Sequence, residues 1–262
     1  MKYLLHSTFL HLKSAAQYRA SFLMQTLSQF VMTGSELAAV LVLMNRFSRL
    51  GQWEPAEILF FFGVMQLTFA LTECFGRGIS NFSYYVGGGD FDSMLLRPRP
   101  LLLQVVCHRL DPRRLGGMIV GLAAVLLAGW HVGLEWTLGK AAALLLAMAG
   151  SFFLLCGLFL IEATASFFSV RSIEMVNVLT YGGRSACQYP VDIYPGPLRL
   201  LFTWVAPFAL CMHQPVSWML GKPMLDLPQW AAFVGPFSGV VFFAAMACVW
   251  RWGAQHYRST GT

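Results

Sequence analysis

Charged side chains are scarce in this chain. Asp, Glu, Lys and Arg make up 11% of its 262 residues, less than half the roughly 25% of a soluble domain. That shortage excludes a large water-facing domain. Paired cysteines are also missing. Cys74, Cys107, Cys156, Cys187, Cys211 and Cys248 are scattered with no C-x-x-C, so neither a disulfide framework nor a zinc site can be read. No two histidines stand at H-x-x-x-H spacing, and there is no G-x-S-x-G elbow, so metal-dependent and serine hydrolysis lose their usual signatures. An intramembrane enzyme acting on lipid would need a motif that is not there. A phosphate loop requires G-x-x-x-x-G-K-[ST]. The nearest stretch, Gly133 to Gly139-Lys140, sets its glycines one residue too far apart and ends on Ala141. No cofactor or metal is therefore expected in this chain, and any ATP it uses must be bound by another subunit.

What fills the chain instead is apolar: 57% of it. Runs of about 20 such residues recur, the length at which a helix crosses hydrocarbon at about 1.5 Å per residue. The expected fold is all-α integral membrane, one transmembrane domain over 1–262, with spans at 22–44, 59–79, 115–133, 141–168, 198–212 and 230–252, the fifth short and broken by Pro207. Leu4, Leu5, Phe9 and Leu12 form a stripe that His6, His11 and Lys13 avoid, which predicts an amphipathic interfacial helix over 1–20 rather than a signal peptide. The segment 213–229, with Pro215, Pro223 and Pro228 around Trp218, Met219 and Leu220, is too short to span and too apolar for a free loop. It reads as an external re-entrant or interfacial hairpin.

The net charge of +6 sorts by side rather than forming a nucleic-acid surface. Of the 18 Lys and Arg, only Arg46, Arg49, Lys140 and Lys222 fall on one set of connections. Positive charge stays in the cytoplasm, so both termini and the loops 80–114 and 169–199 are expected inside. Trp53, Trp130, Trp136, Trp218 and Trp230 then mark the outer edge, and Trp250 and Trp252 the inner one.

Carboxylates at membrane depth are costly and must face protein or water. Glu36, Glu73 and Glu162 are the candidates. Gln25, Gln29 and Glu36 fall near one helical face, as do Gln66, Glu73 and Arg77. Glu73 and Arg77, four apart, read as a local ion pair. Glu36 has two readings: a hydrogen bond to a neighbouring helix, or a place in a substrate path with Gln25, Gln29, Gln66 and Glu73. Gly117-x-x-x-Gly121 marks a close helix contact.

The first internal loop reads Gly87-Gly88-Gly89-Asp90-Phe91-Asp92-Ser93-Met94-Leu95-Leu96-Arg97-Pro98. Asp92 is placed to cap a short helix from Ser93, and Pro98 to stop it. Phe91, Met94, Leu95 and Leu96 would form an apolar knob rimmed by Asp90, Asp92, Arg97 and Arg99. Such a knob suits docking into a partner groove, or lying on headgroups with Arg97 and Arg99 on phosphate.

Gly89-Asp90-Phe91-Asp92 with Leu95-Leu96-Arg97-Pro98 resembles the G-x-F-D-x-x-L-L-R-P signature of a subfamily of type-2 ABC transporter permeases. Tyr189-Pro190-Val191-Asp192-Ile193-Tyr194-Pro195 is similar to that subfamily's Y-P-x-x-I-Y-P segment. The resemblance implies a permease of the cytoplasmic (inner) membrane, paired with a second permease half, identical or related. It also implies a separate ABC ATPase carrying ATP and Mg. The short loop helix would be the coupling helix, with Phe91, Asp92, Leu95, Leu96, Arg97 and Pro98 contacting the ATPase. The usual direction is export, of drugs, lipids, glycans or peptides, and acidic path residues would favour a cationic amphiphile. A non-transporting membrane scaffold is the alternative.

Overall fold

The structure, a computed structural model, describes residues 17, 19–46, 49–168, 177–222 and 227–257. The predicted interfacial helix 1–20 lies almost wholly outside them. Among the described residues the regular structure is all helical, apart from a single isolated bridge between Leu50 and Trp53.

Helix α1 (Arg19–Arg46) runs 28 residues, and α2 (Pro55–Ser80) follows after a turn at Gly51, whose φ is +64°. Three short helices come next: α3 (Phe82–Gly87), α4 (Asp90–Leu95) and α5 (Leu101–His108). Then α6 (Leu115–His131) and α7 (Leu138–Ala165) run as a pair. Among the described residues, four stretches are long and apolar enough to cross a membrane: Pro55–Gly87, Pro112–His131, Leu138–Ala165 and Ala231–Gln255. Helix α1 has the length but also carries Gln25, Gln29, Thr33 and Glu36. Its other face is apolar and open, with Leu23, Met24, Leu27, Val31 and Met32 all exposed.

Helix α2 is the centre of the body. Phe60, Phe61, Phe62, Val64 and Met65 are fully buried, because neighbours cover it on every side. The close approach of α6 depends on small residues, as the Gly117-x-x-x-Gly121 spacing led us to expect. A Cβ on Gly121 would stand 2.7 Å from the Leu67 backbone nitrogen, and one on Gly117 would meet Gln66 Nε2 at 3.2 Å.

The chain after α7 departs from the predicted layout. Residues 169–199 are expected to stay in one loop at the Ser80 end of α2. Instead, a π turn at Val178–Gly182 and α8 (Gly183–Ala186) climb along α2 towards its Pro55 end. Tyr181 packs edge-on to Phe69 at 5.9 Å, Arg184 reaches Gln66, and Asp192 accepts hydrogen bonds from Gln52 and Trp53 beyond the start of α2. Span-like travel therefore occurs here.

The stretch 198–212, predicted as a short fifth span broken by Pro207, does break there, and the chain then turns back. Helix α9 (Gly196–Leu200) and a π turn over Leu201–Val205 stop at Ala206-Pro207. A second π turn at Ala209–His213 and α10 (Gln214–Met219) then lead back out. The break lies beside Gly183, since Phe202 and Phe208 are the side chains nearest to a Cβ placed there. Both arms begin and end at the Pro55 end of α2, where Lys222 Nζ meets Glu57 at 2.6 Å. The chain thus forms a hairpin over 196–222, which overlaps the predicted segment 213–229, of which 223–226 lie outside the described residues. Hydropathy does not tell such a hairpin from a span, because Phe208, Ala209, Cys211 and Met212 are fully buried in protein and carry the same composition as a lipid-facing run. Past Gly221, α11 (Ala231–Val234) bends at Gly235-Pro236 into α12 (Phe237–Gln255), which lies along α7 with Gly239 against the Gly150 carbonyl.

Candidate functional site

The polar residues predicted at membrane depth are brought together in one seam. Arg184 Nη2 donates to Glu36 Oε2 at 2.7 Å and to Gln66 Oε1, while its guanidinium lies 4.6 Å from the centre of the Phe69 ring. The Thr33 hydroxyl accepts from Gln66 Nε2 and Gln29 Nε2, both at 3.4 Å. Gln29 Oε1 accepts from Arg114 Nη1 at 3.0 Å, and Gln25 Oε1 accepts from Arg113 Nη1. Gln25, Gln29, Glu36, Gln66 and Glu73 therefore belong to one network spread over α1, α2, the Asp111–Arg114 turn and α8.

Glu73 anchors the lower half. It pairs with Arg77 at 3.4 Å, as the four-residue spacing predicts, and with Arg114 at 2.8 Å. Asp111, 4% exposed in its side chain, binds Arg113 at 2.5 Å. Burial pushes the Asp111 carboxyl up, but the Arg113 hydrogen bond and the charges of Arg113, Arg114 and Arg77 outweigh it and hold the group below the usual carboxylate range. Glu36 has Arg184 as its counter-ion, so it does not present an isolated negative charge. Its side chain stays 44% exposed while that of Arg184 is 12% exposed. A carboxylate that opens outward from a buried guanidinium can exchange partners with a passing polar group. The buried end cannot.

Sequence reading missed Arg184, because an arginine in a charge-rich loop is the usual expectation. The Gly182-Gly183 pair before it was the available signal. Gly183 leaves room for the Phe202 and Phe208 rings.

The second candidate surface is α4. Gly89, at φ +76°, starts the helix in a left-handed turn. The helix begins at Asp90, three residues before the predicted Ser93, so Asp92 lies inside it rather than capping it, and Ser93 Oγ donates to the Asp90 carbonyl. The predicted single apolar knob splits in two. Phe91 is fully buried against Phe82 at 5.0 Å and Tyr257 at 5.1 Å, and Met94 is 2% exposed. Leu95 and Leu96 face out at 44% and 87%, followed by exposed Arg97 and Pro98. Gln104 locks the exit by donating to the Met94 and Arg99 carbonyls. The result is a short helix bolted to the body by one face and presenting leucine and arginine on the other.

A third cluster closes the Pro55 end. Asp192 accepts from the fully buried Trp53 indole at 2.9 Å and from Gln52 at 2.9 Å. Lys222 spans Glu57 and the Gln52 carbonyl. His213 Nε2 is 2.8 Å from the Cys187 carbonyl in the wall of the hairpin.

Long apolar helices with a polar seam between them define a multi-pass membrane protein. The model for the ABC-2 family transporter protein matches residues 30–261, and the chain belongs to that family. It is thus a transmembrane permease component of an ABC transporter, a class whose ATPase is a partner. No curated protein and no solved structure matches the chain.

Proposed function

We propose that this chain is the membrane-embedded half of an exporter, driven by a separate ATPase that seats on α4. The carrying observation is the division of labour in that helix. Phe91 and Met94 fix it to the core while Leu95, Leu96 and Arg97 project, so a push on the outer face moves the helix bundle rather than bending a loop. The Ser80 end of α2 is then cytoplasmic and the re-entrant hairpin external. Six crossings follow: α1, α2, α6, α7, the climb through α8, and α11 with α12. The fifth crossing replaces the one predicted at 198–212. ATP and Mg stay on the ATPase, and a second permease half, identical or related, faces the open side of α1. Closing of the ATPases tilts the halves as rigid bodies.

The seam residues Gln25, Gln29, Glu36 and Gln66 border the path between α1, α2 and α8. Because Arg184 accompanies Glu36, the cargo that suits this path is an amphiphile with a polar head able to compete for either ion.

The test is Leu95→Asp with Leu96→Asp, assayed with the co-expressed ATPase. The expected result is an inserted protein with normal thermal unfolding and no stimulation of ATP hydrolysis. Unchanged stimulation sinks the coupling role. A chain that never co-purifies with an ATPase supports the scaffold reading instead.

A further inference from the structure

At the Gln255 end of α12 a cavity of about 430 Å³ opens between the ends of α4, α5 and α12. That size lies inside the range of about 300–1,000 Å³ usual for small-molecule sites. Leu95, Leu101, Ala254 and Trp250 supply apolar wall. Among the described residues, Arg251 is the one charged residue lining it, with Gln255 a turn further on; both are exposed, and no described carboxylate lines the cavity. The Trp250 indole is 2% exposed and its Nε1–H has no acceptor among the described residues. Arg97 and Arg99 lie just before the lining Pro100 and add to the positive character of this end.

An apolar slot with a guanidinium at its rim calls for a ligand with a hydrocarbon chain and an anionic group. Trp250 and Trp252 stand at the end of the last apolar helix, the headgroup level where indoles collect. Basic pockets between helices on the cytoplasmic side are suited to anionic headgroups. We propose that this cavity binds an anionic phospholipid of the cytoplasmic leaflet, its chain against Leu95 and Leu101 and its phosphate on Arg251. The leaflet assignment rests on the sidedness given under the proposed function. The lipid then lies directly behind the projecting leucines, so it props α4 in its docking position.

Native mass spectrometry of the purified full chain with phosphatidylglycerol or phosphatidylcholine tests this. The wild type is expected to retain phosphatidylglycerol, and Arg251→Gln to retain about fivefold less, the effect of one basic residue near a lipid surface. Arg251→Lys should match the wild type. Ala254→Trp, which fills the cavity, should lose the lipid while unfolding at the same temperature. Should that variant fail to fold, Arg251→Gln decides alone. Equal retention by Arg251→Gln, or equal retention of phosphatidylcholine by the wild type, overturns the proposal. The readout needs no ATPase, so it stands apart from the coupling test. Labelling of Ser93→Cys from the external side would overturn the leaflet assignment without touching the lipid result.

Discussion

At the Ser80 end of α2, Glu73 meets Arg77 on its own helix and Arg114 at the start of the α6 pair. At the Pro55 end, Glu57 meets Lys222, 165 residues away, and Trp53 meets Asp192, 139 residues away. Both ends bury a carboxylate, but they do different mechanical work. The lower cluster knits neighbouring helices into one body beside α4. The upper cluster clips a hairpin, made from a late part of the chain, onto that body. Under the proposed coupling at α4, force would enter at the rigid base and the exit would lie at the end held by the smaller set of bonds.

Breaking the base should cost most. Glu73→Leu leaves Arg77 and Arg114 only the more distant Asp111 as counter-charge and should destabilise by about 3 kcal/mol, read as a lowered thermal midpoint and poor yield in detergent. Asp192→Ala leaves the Trp53 indole N–H buried without an acceptor and should cost about 1–3 kcal/mol. It should also speed tryptic cleavage after Arg199, because the hairpin is released, and Asp192→Asn should recover part of the loss. A hairpin as protease-resistant as the wild type in Asp192→Ala would mean that packing, not the clasp, holds it.

Acid separates the two ends further. The Asp111 carboxyl is held low in the folded state, so its stabilising effect is fully present above the ordinary value of about 4 and is lost as pH falls through the lowered one. Asp111→Asn should flatten the acid limb of a stability-against-pH curve. The smallest effect belongs to Glu54→Gln, which breaks the exposed pair with Arg49 at 3.2 Å. It should change stability by less than about 1 kcal/mol, and sets the baseline for the clasp variants.

Much of the base was legible in the sequence and little of the clasp was. Glu73 and Arg77 sit one helical turn apart, and Gly117 and Gly121 repeat at the same interval, so local spacing announces both contacts. The leucines of α4 were legible as surface, but the inward turn of Phe91 was not, because Phe82, Phe167 and Tyr257 come to meet it from elsewhere in the chain. Arg184 and Asp192 read as loop residues for the same reason. Their partners Glu36, Gln66 and Trp53 lie more than a hundred residues upstream.

By itself the sequence determined that this protein lives in a bilayer, since the length and apolarity of its helices are local properties that no packing can undo. It also lacks the contiguous pattern of a phosphate loop, which is why ATP was expected on a partner subunit. Only the tertiary structure decided which apolar stretch climbs and which turns back at Ala206-Pro207. Lipid and protein interior solvate a leucine alike, whereas a buried arginine needs a specific carboxylate within reach, and folding alone brings the two together.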